Sequence, residues 1–326
     1  MNSTNLSART LTVRHATIWL LIWWTAGAFH AQSQTLRDAL VRNNIDVRGL
    51  SAFELDNEIT SYGIENAEDL FIIGYYRFGA DRNAMEDSVH LLVFDKHDAR
   101  WRSKNIPREQ PSTVQGIGSW ELGSVLQVSH NSRYIYLDTH LSPSAGIILV
   151  LTRDLQPVTT LFGWVEILLP NGIMLYHRGM VHFAPTHPAE LWVFDERTMR
   201  DTALYPRKPY EPIRRAYIDT VRSIYAELGA RWFADNNHHM DPEQFDCSLV
   251  DPFVTSGNGN AIAFVARFGE KDAPVPATPY LEVIVTITGI GSTQPRIVEQ
   301  RLSDLQRLHP DGTIEQHLRD ALQRRE

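Results

Sequence analysis

The sequence predicts an all-β fold, namely a β-propeller-like arrangement of about four irregular four-stranded blades, with a helical insertion at about 211–247 and short helices at both ends. Two observations predict this class. From about residue 59, short runs of β-branched and aromatic residues alternate with turn residues, which is typical of strands. These runs also form repeated units of four strands that cannot bury both faces alone, which is typical of propellers.

The N-terminus precedes this domain and predicts export. Residues 1–14 carry Arg9 and Arg14 and no acid, and an apolar run of thirteen residues, Ala16–Ala28, ends in small residues. This pattern predicts a signal peptide over residues 1–31, cleaved after Ala28 or Ala31. The run is shorter than the roughly 20 residues of a spanning helix, although an uncleaved signal anchor is the alternative. We therefore expect a secreted or periplasmic protein, with no stable membrane insertion after cleavage.

Composition and charge limit the kinds of binding partner that we expect. The chain has 326 residues, 43% of them apolar, which is enough to bury a large core as a single domain from residue 32 to 326. Removing residues 1–31 leaves 29 basic and 39 acidic residues, a net charge of −10, so nucleic acid is not an expected partner. The only cysteine, Cys247, cannot form an internal disulfide and is expected to be a buried small residue, with a reactive thiol as the alternative.

The predicted strands fall into four groups that share their turns. An Asn or Gly precedes each second strand, and three of the third strands lead into polar hairpins, "DKHDAR", "TRDLQP" and "DERTMR". The groups are 59–64, 70–77, 90–96 and 100–106; 123–129, 134–140, 146–152 and 157–163; 165–170, 173–178, 189–195 and 201–206; and 248–256, 261–268, 280–289 and 296–302.

One unit also resembles a known repeat. Residues 128–163, "VSHNSRYIYLDTHLSPSAGIILVLTRDLQPVTTLFG", resemble the repeat of bacterial secreted β-propellers of the surface-layer and lactonase-like kind. The resemblance covers this unit closely and the other three loosely, and it implies the fold only. Five blades, using the N-terminal segment or part of 230–247, are the near alternative, and a two-sheet sandwich is the distant one.

Helices are predicted at three places. Residues 211–229 carry an apolar stripe between Pro212 and Gly229, which indicates a helix within the insertion. The end segments "TLRDALVRNN" and "TIEQHLRDALQRRE" are amphipathic, and Thr313 and Gln316 have the spacing of a capping box. Both contain "LRDAL", at 36–40 and 318–322. Two unrelated end helices are favoured over a repeat that closes a ring.

The long loops are expected on one face. In a propeller, the loops between second and third strands and the connections between blades emerge together, and here they are 78–89, 178–188, 269–279, 107–122 and 207–247. Each polar residue there has ordinary solvent exposure as its alternative. The ligand-face candidates are Asp81, Arg82, Asp87, His140, His182, His187, His238, His239, Asp241 and Lys271, with Glu86, Glu270 and Asp272 beside them.

The segment "DNNHHMDPEQFDC", residues 235–247, concentrates possible metal ligands. Asp235, His239, Asp241 and Glu243 are its metal candidates. A calcium loop starting at Asp235 fails, because His239 and Met240 occupy positions that need an oxygen ligand and a glycine. No paired spacing supports zinc. A turn capped by Asp241 is favoured, so no cofactor is expected, with a divalent metal as the alternative.

No catalytic motif is present. We interpret the regular spacing of His177, His182 and His187 as coincidence. The sequence contains no nucleophile elbow, H-E-x-x-H motif or phosphate-binding loop. The sequence therefore predicts a non-enzymatic binding module for a protein, a glycan or an envelope polymer. The alternative is a metal-assisted hydrolase of the lactonase kind, in which carboxylates and histidines from different blades meet at a central channel.

Overall fold

Most of the described chain is strand. The computed structural model describes residues 34–78, 86–111, 119–142, 145–179, 189–206, 245–270, 281–308 and 312–324. Each of the four predicted groups of strands forms one antiparallel sheet with its strands in chain order, which confirms the strand prediction. Within these ranges there are four such sheets rather than the two of a sandwich, and the fifth sheet is a pair of short strands.

The first two sheets are joined by a short pair of strands. Sheet 1 has β1 (Gln34–Thr35), β2 (Glu58–Asn66), β3 (Leu70–Arg77), β4 (Ser88–Asp95) and β5 (Arg100–Pro107). The connection contains a pair that the sequence did not predict, β6 (Glu109–Pro111) and β7 (Ser119–Glu121). Sheet 2 has β8 (Ser124–His130), β9 (Tyr134–Ser142), β10 (Ala145–Thr152) and β11 (Pro157–Phe162).

The other two sheets follow the same order. Sheet 3 has β12 (Trp164–Leu169), β13 (Ile173–Gly179), β14 (Ala189–Asp195) and β15 (Arg200–Tyr205). Sheet 4 has β16 (Phe245–Thr255), β17 (Ala261–Glu270), β18 (Leu281–Thr288) and β19 (Arg296–Arg301). The boundary of the predicted insertion at residue 247 is wrong, because Cys247 already lies in β16, where it pairs with Phe268 and is buried.

Consecutive sheets pack face to face. Alternate residues of a strand point to opposite faces, and in β13 Met174 and Tyr176 pack against sheet 2 whereas Ile173 and Leu175 pack against sheet 4. Separate apolar clusters join sheet 1 to sheet 2, sheet 2 to sheet 3, and sheet 3 to sheet 4. The middle strands are therefore buried on both faces, which explains why they are almost continuously apolar.

Helices cover both outer faces of this stack. The outer face of sheet 1 packs on α1 (Leu36–Arg42) and α2 (Ala52–Leu55), and that of sheet 4 packs on α3 (Leu302–Leu308) and α4 (Ile314–Gln323). The shared string "LRDAL" buries its two leucines and its alanine at both ends. In the described ranges, no apolar cluster contains residues of both sheet 1 and sheet 4.

Both end helices begin at a threonine cap. Thr35 accepts from the Asp38 N–H, and Asp38 accepts in return from the Thr35 N–H, which is a complete capping box. Thr313 accepts from the Gln316 N–H at 3.2 Å, as the spacing predicts. The Gln316 side chain instead donates to Asp320, so only the threonine half of the predicted box forms.

The stack has two distinct faces, which we name by their connections. The hairpin face holds the turns between first and second strands and between third and fourth strands of each sheet. The loop face is the opposite edge, where second strands end, third strands begin and the chain passes to the next sheet. Within the parts of the chain that the structure describes, no helix is long and apolar enough to cross a bilayer.

Candidate functional site

Of the ten ligand-face candidates two are described, and both lie at the loop face; beside them, Glu86 Oε2 lies 2.7 Å from His90 Nε2. Asp87 is exposed just before β4, and its carbonyl accepts from the Arg108 N–H at 3.0 Å. His140 is half-buried near the end of β9, opposite Gly146 of β10. Outside the described residues lie the predicted helix 211–229 and the candidates Asp81, Arg82, His182, His187, Asp235, His238, His239, Asp241, Glu243 and Lys271.

A polar cluster that the sequence did not identify lies where sheets 2 and 3 meet at the loop face. We call Asp138, Trp164, Glu166 and His177 the junction cluster. The two sheets come very close there, because a Cβ on Gly146 would lie 2.5 Å from the Trp164 ring and 2.7 Å from the Gly163 carbonyl oxygen. Only glycine fits this position, and the Gly163 N–H donates to the Gly146 carbonyl at 2.9 Å.

Asp138 is a buried carboxyl group between the two sheets. It is 4% exposed and accepts from the Val165 N–H, at 3.1 Å to Oδ2 and 3.4 Å to Oδ1. Burial raises the pKa of Asp138 to about 7; the hydrogen bond from Val165 opposes this, and the negative charge of Glu166 adds to it. Asp138 therefore exchanges its proton near neutral pH.

Glu166 and His177 form the outer part of the cluster. Glu166 Oε2 lies 3.0 Å from His177 Nδ1, and both side chains are about one fifth exposed, at 18% and 21%. The His177 ring also packs on the Trp164 ring, with centroids 5.3 Å apart. The histidine is thus held between an aromatic ring and a carboxylate, which fixes its orientation. The interpretation of His177 as part of a chance spacing missed this local partner.

The junction of sheets 1 and 2 at the loop face is built differently. Tyr76 is buried and donates its hydroxyl to the Leu122 carbonyl at 3.1 Å, and Arg108 donates to the same oxygen at 3.2 Å. Arg108 also pairs with the exposed Glu121 at 2.6 Å. Burial raises the pKa of Tyr76 to about 12, so this junction stays uncharged at the tyrosine over the physiological range.

The hairpin face of the same two sheets carries a charged network. His130 lies between two carboxylates, with Glu65 at 2.7 Å and Asp69 at 3.2 Å, and Arg153 donates to Asp69 at 2.8 Å. Burial alone would lower the pKa of His130, but Glu65 and Asp69 raise it by hydrogen bonding and charge. Burial likewise opposes ionisation of Asp69, yet Arg153 and His130 lower its pKa to about 2. Each charge here has a partner of opposite sign.

The hairpin-face contact between sheets 2 and 3 also joins a turn to the neighbouring sheet, but here the buried Glu196 side chain is bound by neutral donors. Glu196 is buried at 3% exposure in a turn of sheet 3 and accepts from the Tyr136 hydroxyl at 2.5 Å and from the Asn131 amide, both in sheet 2. Between sheets 3 and 4, Asn171 donates to the Gly259 carbonyl at 3.1 Å. Turns of neighbouring sheets are therefore bonded across all three interfaces.

The described ranges also contain a small cavity, but no grouped metal ligands. Among the described ranges, no group of three or more His, Cys, Asp or Glu side chains is arranged to hold a metal ion. An open cavity of about 110 Å³ lies between sheet 4 and α4 and is well below the size of a typical small-molecule site. Its lining residues are Ile284, Thr286, Val298, Gln300, Ala321 and Arg324.

The sequence does contain a signal for the junction cluster. In "YIYLDTH", alternate residues share a face of the strand, so Asp138 lies on the same face as Tyr134 and Tyr136. Because the strand is buried on both faces, the carboxyl group of Asp138 lies in an interface between sheets. A charged residue in the middle of such a strand is a candidate for an altered pKa. Its partner Val165 belongs to the next sheet, and no local pattern connects the two.

Comparison with known proteins gives little beyond this geometry. No protein-family model matches the chain, and no curated protein matches it. A solved structure of a mutant apocarotenoid oxygenase from Synechocystis aligns with 78% of this chain and 52% of its own, at 10% identity and a TM-score of 0.33. The chain thus spans about half the length of that structure.

Proposed function

We propose that this chain is a secreted or periplasmic binding module, and that its ligand, a protein, a glycan or an envelope polymer, contacts the loop face. The supporting observation is the difference between the faces. On the hairpin face, turns of neighbouring sheets are engaged with one another at every interface. On the loop face, the strand ends flank the segments in which the sequence places its long connections. Binding residues are commonly carried on such connections above a rigid scaffold.

The arrangement of the sheets is part of the same proposal. Four four-stranded units that pack in chain order favour propeller-like blades. The outer faces of sheets 1 and 4 are covered by helices, so in the described ranges no packing of sheet 1 on sheet 4 closes the four blades into a ring. The loop face then extends from the first blade to the fourth.

A two-face binding comparison tests the proposal. The chain from residue 32 is applied to a glycan array and to isolated peptidoglycan sacculi. The loop-face variant His182→Ala/His187→Ala/Lys271→Ala is compared with the hairpin-face variant Asp154→Ala/Arg197→Ala, whose side chains are 90% and 59% exposed. We expect the loop-face variant to bind at least tenfold more weakly and the hairpin-face variant to bind normally. Loss of binding in the hairpin-face variant alone contradicts the proposal.

Metal content separates this proposal from the metal-assisted hydrolase. Elemental analysis of the purified chain and its melting temperature with and without chelator are measured. We expect no stoichiometric metal and no chelator effect. Bound calcium or zinc with a large chelator effect replaces the binding module by the hydrolase, because a metal that binds the folded state raises the melting temperature. His239→Ala/Asp241→Ala then shows whether the segment 235–247 contributes.

A further inference from the structure

We propose that Asp138 is a proton-operated switch of the interface between sheets 2 and 3: with its proton bound it lets the two sheets close at the loop face, and without it the interface loosens. The geometry supports this first. The carboxyl group is 4% exposed, and the structure gives it one hydrogen bond, from the Val165 N–H of the neighbouring sheet.

Among the residues that the structure describes, no cation is paired with Asp138. The titratable groups facing Asp138 are His140 on its own strand, Glu166 on β12 and His177 on β13, and His177 is directed at Glu166. Arg178, also on β13, is bound to Asp201 at 2.6 Å. On β10 the register partner is Ile148, and on β8 it is Gln127. Of the described groups, only the Val165 N–H and the like charge of Glu166 act on the carboxyl group, and a buried charge in such surroundings is strongly unfavourable.

The close approach of the sheets makes the interface sensitive to that charge. Gly146 and Gly163 leave no space for a side chain, and Trp164 fills the space beside them. Water cannot reach an ionised Asp138 unless the two sheets separate locally. The segment that would move is the start of β12, including Trp164 and Glu166, which lies at the loop face.

The direction in which stability changes with pH follows from the number of protons bound in the folded and unfolded states. Because burial raises the pKa of Asp138 from 3.8 to about 7, the folded state retains a proton that the unfolded state has lost. The contribution of Asp138 is most favourable at acidic pH and declines as the pH rises toward 7. One retained proton changes the folding equilibrium by up to about tenfold per pH unit in that range.

Unfolding by urea from pH 5 to pH 8 tests the switch without any ligand. Asp138→Asn keeps an oxygen that accepts from Val165 but cannot ionise. We expect the folding constant of the unmodified chain to fall relative to that of the variant by up to about tenfold per pH unit below pH 7. Taking the difference removes the contributions of groups that both chains share. Asp154→Asn, with a side chain 90% exposed, is the control and leaves the pH dependence unchanged.

Hydrogen exchange locates the change. Exchange of residues 163–169, corrected for the intrinsic pH dependence of the chemistry, is compared with that of residues 261–268 in sheet 4. We expect 163–169 to lose protection between pH 5 and pH 7 in the unmodified chain and to keep it in Asp138→Asn. Equal protection in both chains overturns the proposal. If Asp138→Asn does not fold, Glu166→Gln decides: without the like charge Asp138 ionises more readily, so the loss of protection ends at lower pH and is smaller, and an unchanged profile overturns the proposal.

An effect of this switch on ligand binding rests on the proposed function. The unfolding and exchange measurements need no ligand, so failure of the glycan and peptidoglycan assays removes the binding module while leaving the switch intact. A pH-independent interface removes the switch while leaving the binding assays valid.

Discussion

On the hairpin face, neighbouring sheets are joined by charged and amide side chains from short turns, whereas on the loop face they meet through close backbone contact and single buried groups. Arg153 and Glu196 each reach from a turn of one sheet to the sheet before it. Asp138 instead bonds to a backbone N–H of the next sheet, and Tyr76 bonds to the carbonyl of Leu122, which lies just before the next sheet. The hairpin face is thus held by bonds between side chains, and the loop face is held by close packing of the backbone.

Because of this difference, the two faces respond differently to a change of pH. In the hairpin-face network of Glu65, Asp69, His130 and Arg153 each charge has a partner of opposite sign, and pH changes within the neutral range act on this network through His130. The loop face carries Asp138, a buried carboxyl group with no cationic partner among the described residues, so its ionisation state affects the contact itself. A scaffold that is held on one face can change on the other without unfolding.

The largest expected effect is on the loop-face contact. Gly146→Ala places a methyl group 2.5 Å from the Trp164 ring and 2.7 Å from a carbonyl oxygen. We expect the free energy of unfolding to fall by about 3 kcal/mol, since neither group can move freely. Gly257→Ala, on the hairpin face with nothing within 4 Å of the new methyl group, is the control and should be nearly neutral. Equal effects in urea unfolding contradict the shape-based contact.

A second expected effect concerns the buried carboxylate of the hairpin face. Glu196→Ala leaves the Tyr136 hydroxyl and the Asn131 amide without their acceptor. We expect a loss of about 2 kcal/mol in the free energy of unfolding. Arg197→Ala removes the exposed neighbour that pairs with Asp195 and should cost less than about 0.5 kcal/mol. A similar loss in both variants means that the turn, and not the cross-sheet bond, is responsible.

The third effect is a pH dependence of the hairpin face. Because the folded-state pKa of His130 is raised, its stabilising contribution is fully present below the unfolded value of 6.5 and is lost as the pH rises through the folded value. We expect His130→Ala to reduce stability by about 1 kcal/mol at pH 5.5 and by less at pH 9. Chemical unfolding at the two pH values measures this. A cost that grows with pH would mean that His130 is neutral in the folded protein.

The smallest effect separates contacts within a sheet from contacts between sheets. Lys96 follows β4 in sheet 1 as Arg153 follows β10 in sheet 2. Its partners Asn66 and Ala67, however, belong to its own sheet. We expect Lys96→Ala to cost less than about 0.5 kcal/mol, because the pair is exposed. Arg153→Ala, which breaks a cross-sheet bond, should cost more. The reverse order in thermal unfolding would remove the distinction.

The fold was largely predictable from sequence because its signals are local. Alternation, turn residues and helix caps each involve neighbours within a few positions, and the four groups of strands and both end helices follow from them. The sheet interfaces were not predictable in the same way. Asp138 bonds to a residue 27 positions away and Tyr136 to one 60 away, across units of unequal length. Most predicted site residues lie outside the described chain, and of the others His140 lies beside the junction cluster.

The shared end helices have a consequence for how such a chain can change in length. Each helix contacts the sheet next to it, and both present the same Leu, Ala and Leu of "LRDAL" to that sheet. Because neither end helix contacts the sheet at the far end, duplication or loss of an internal unit leaves each outer sheet covered by its helix. The number of units, and with it the breadth of the exposed loop surface, is therefore open to evolution by gain or loss of whole segments.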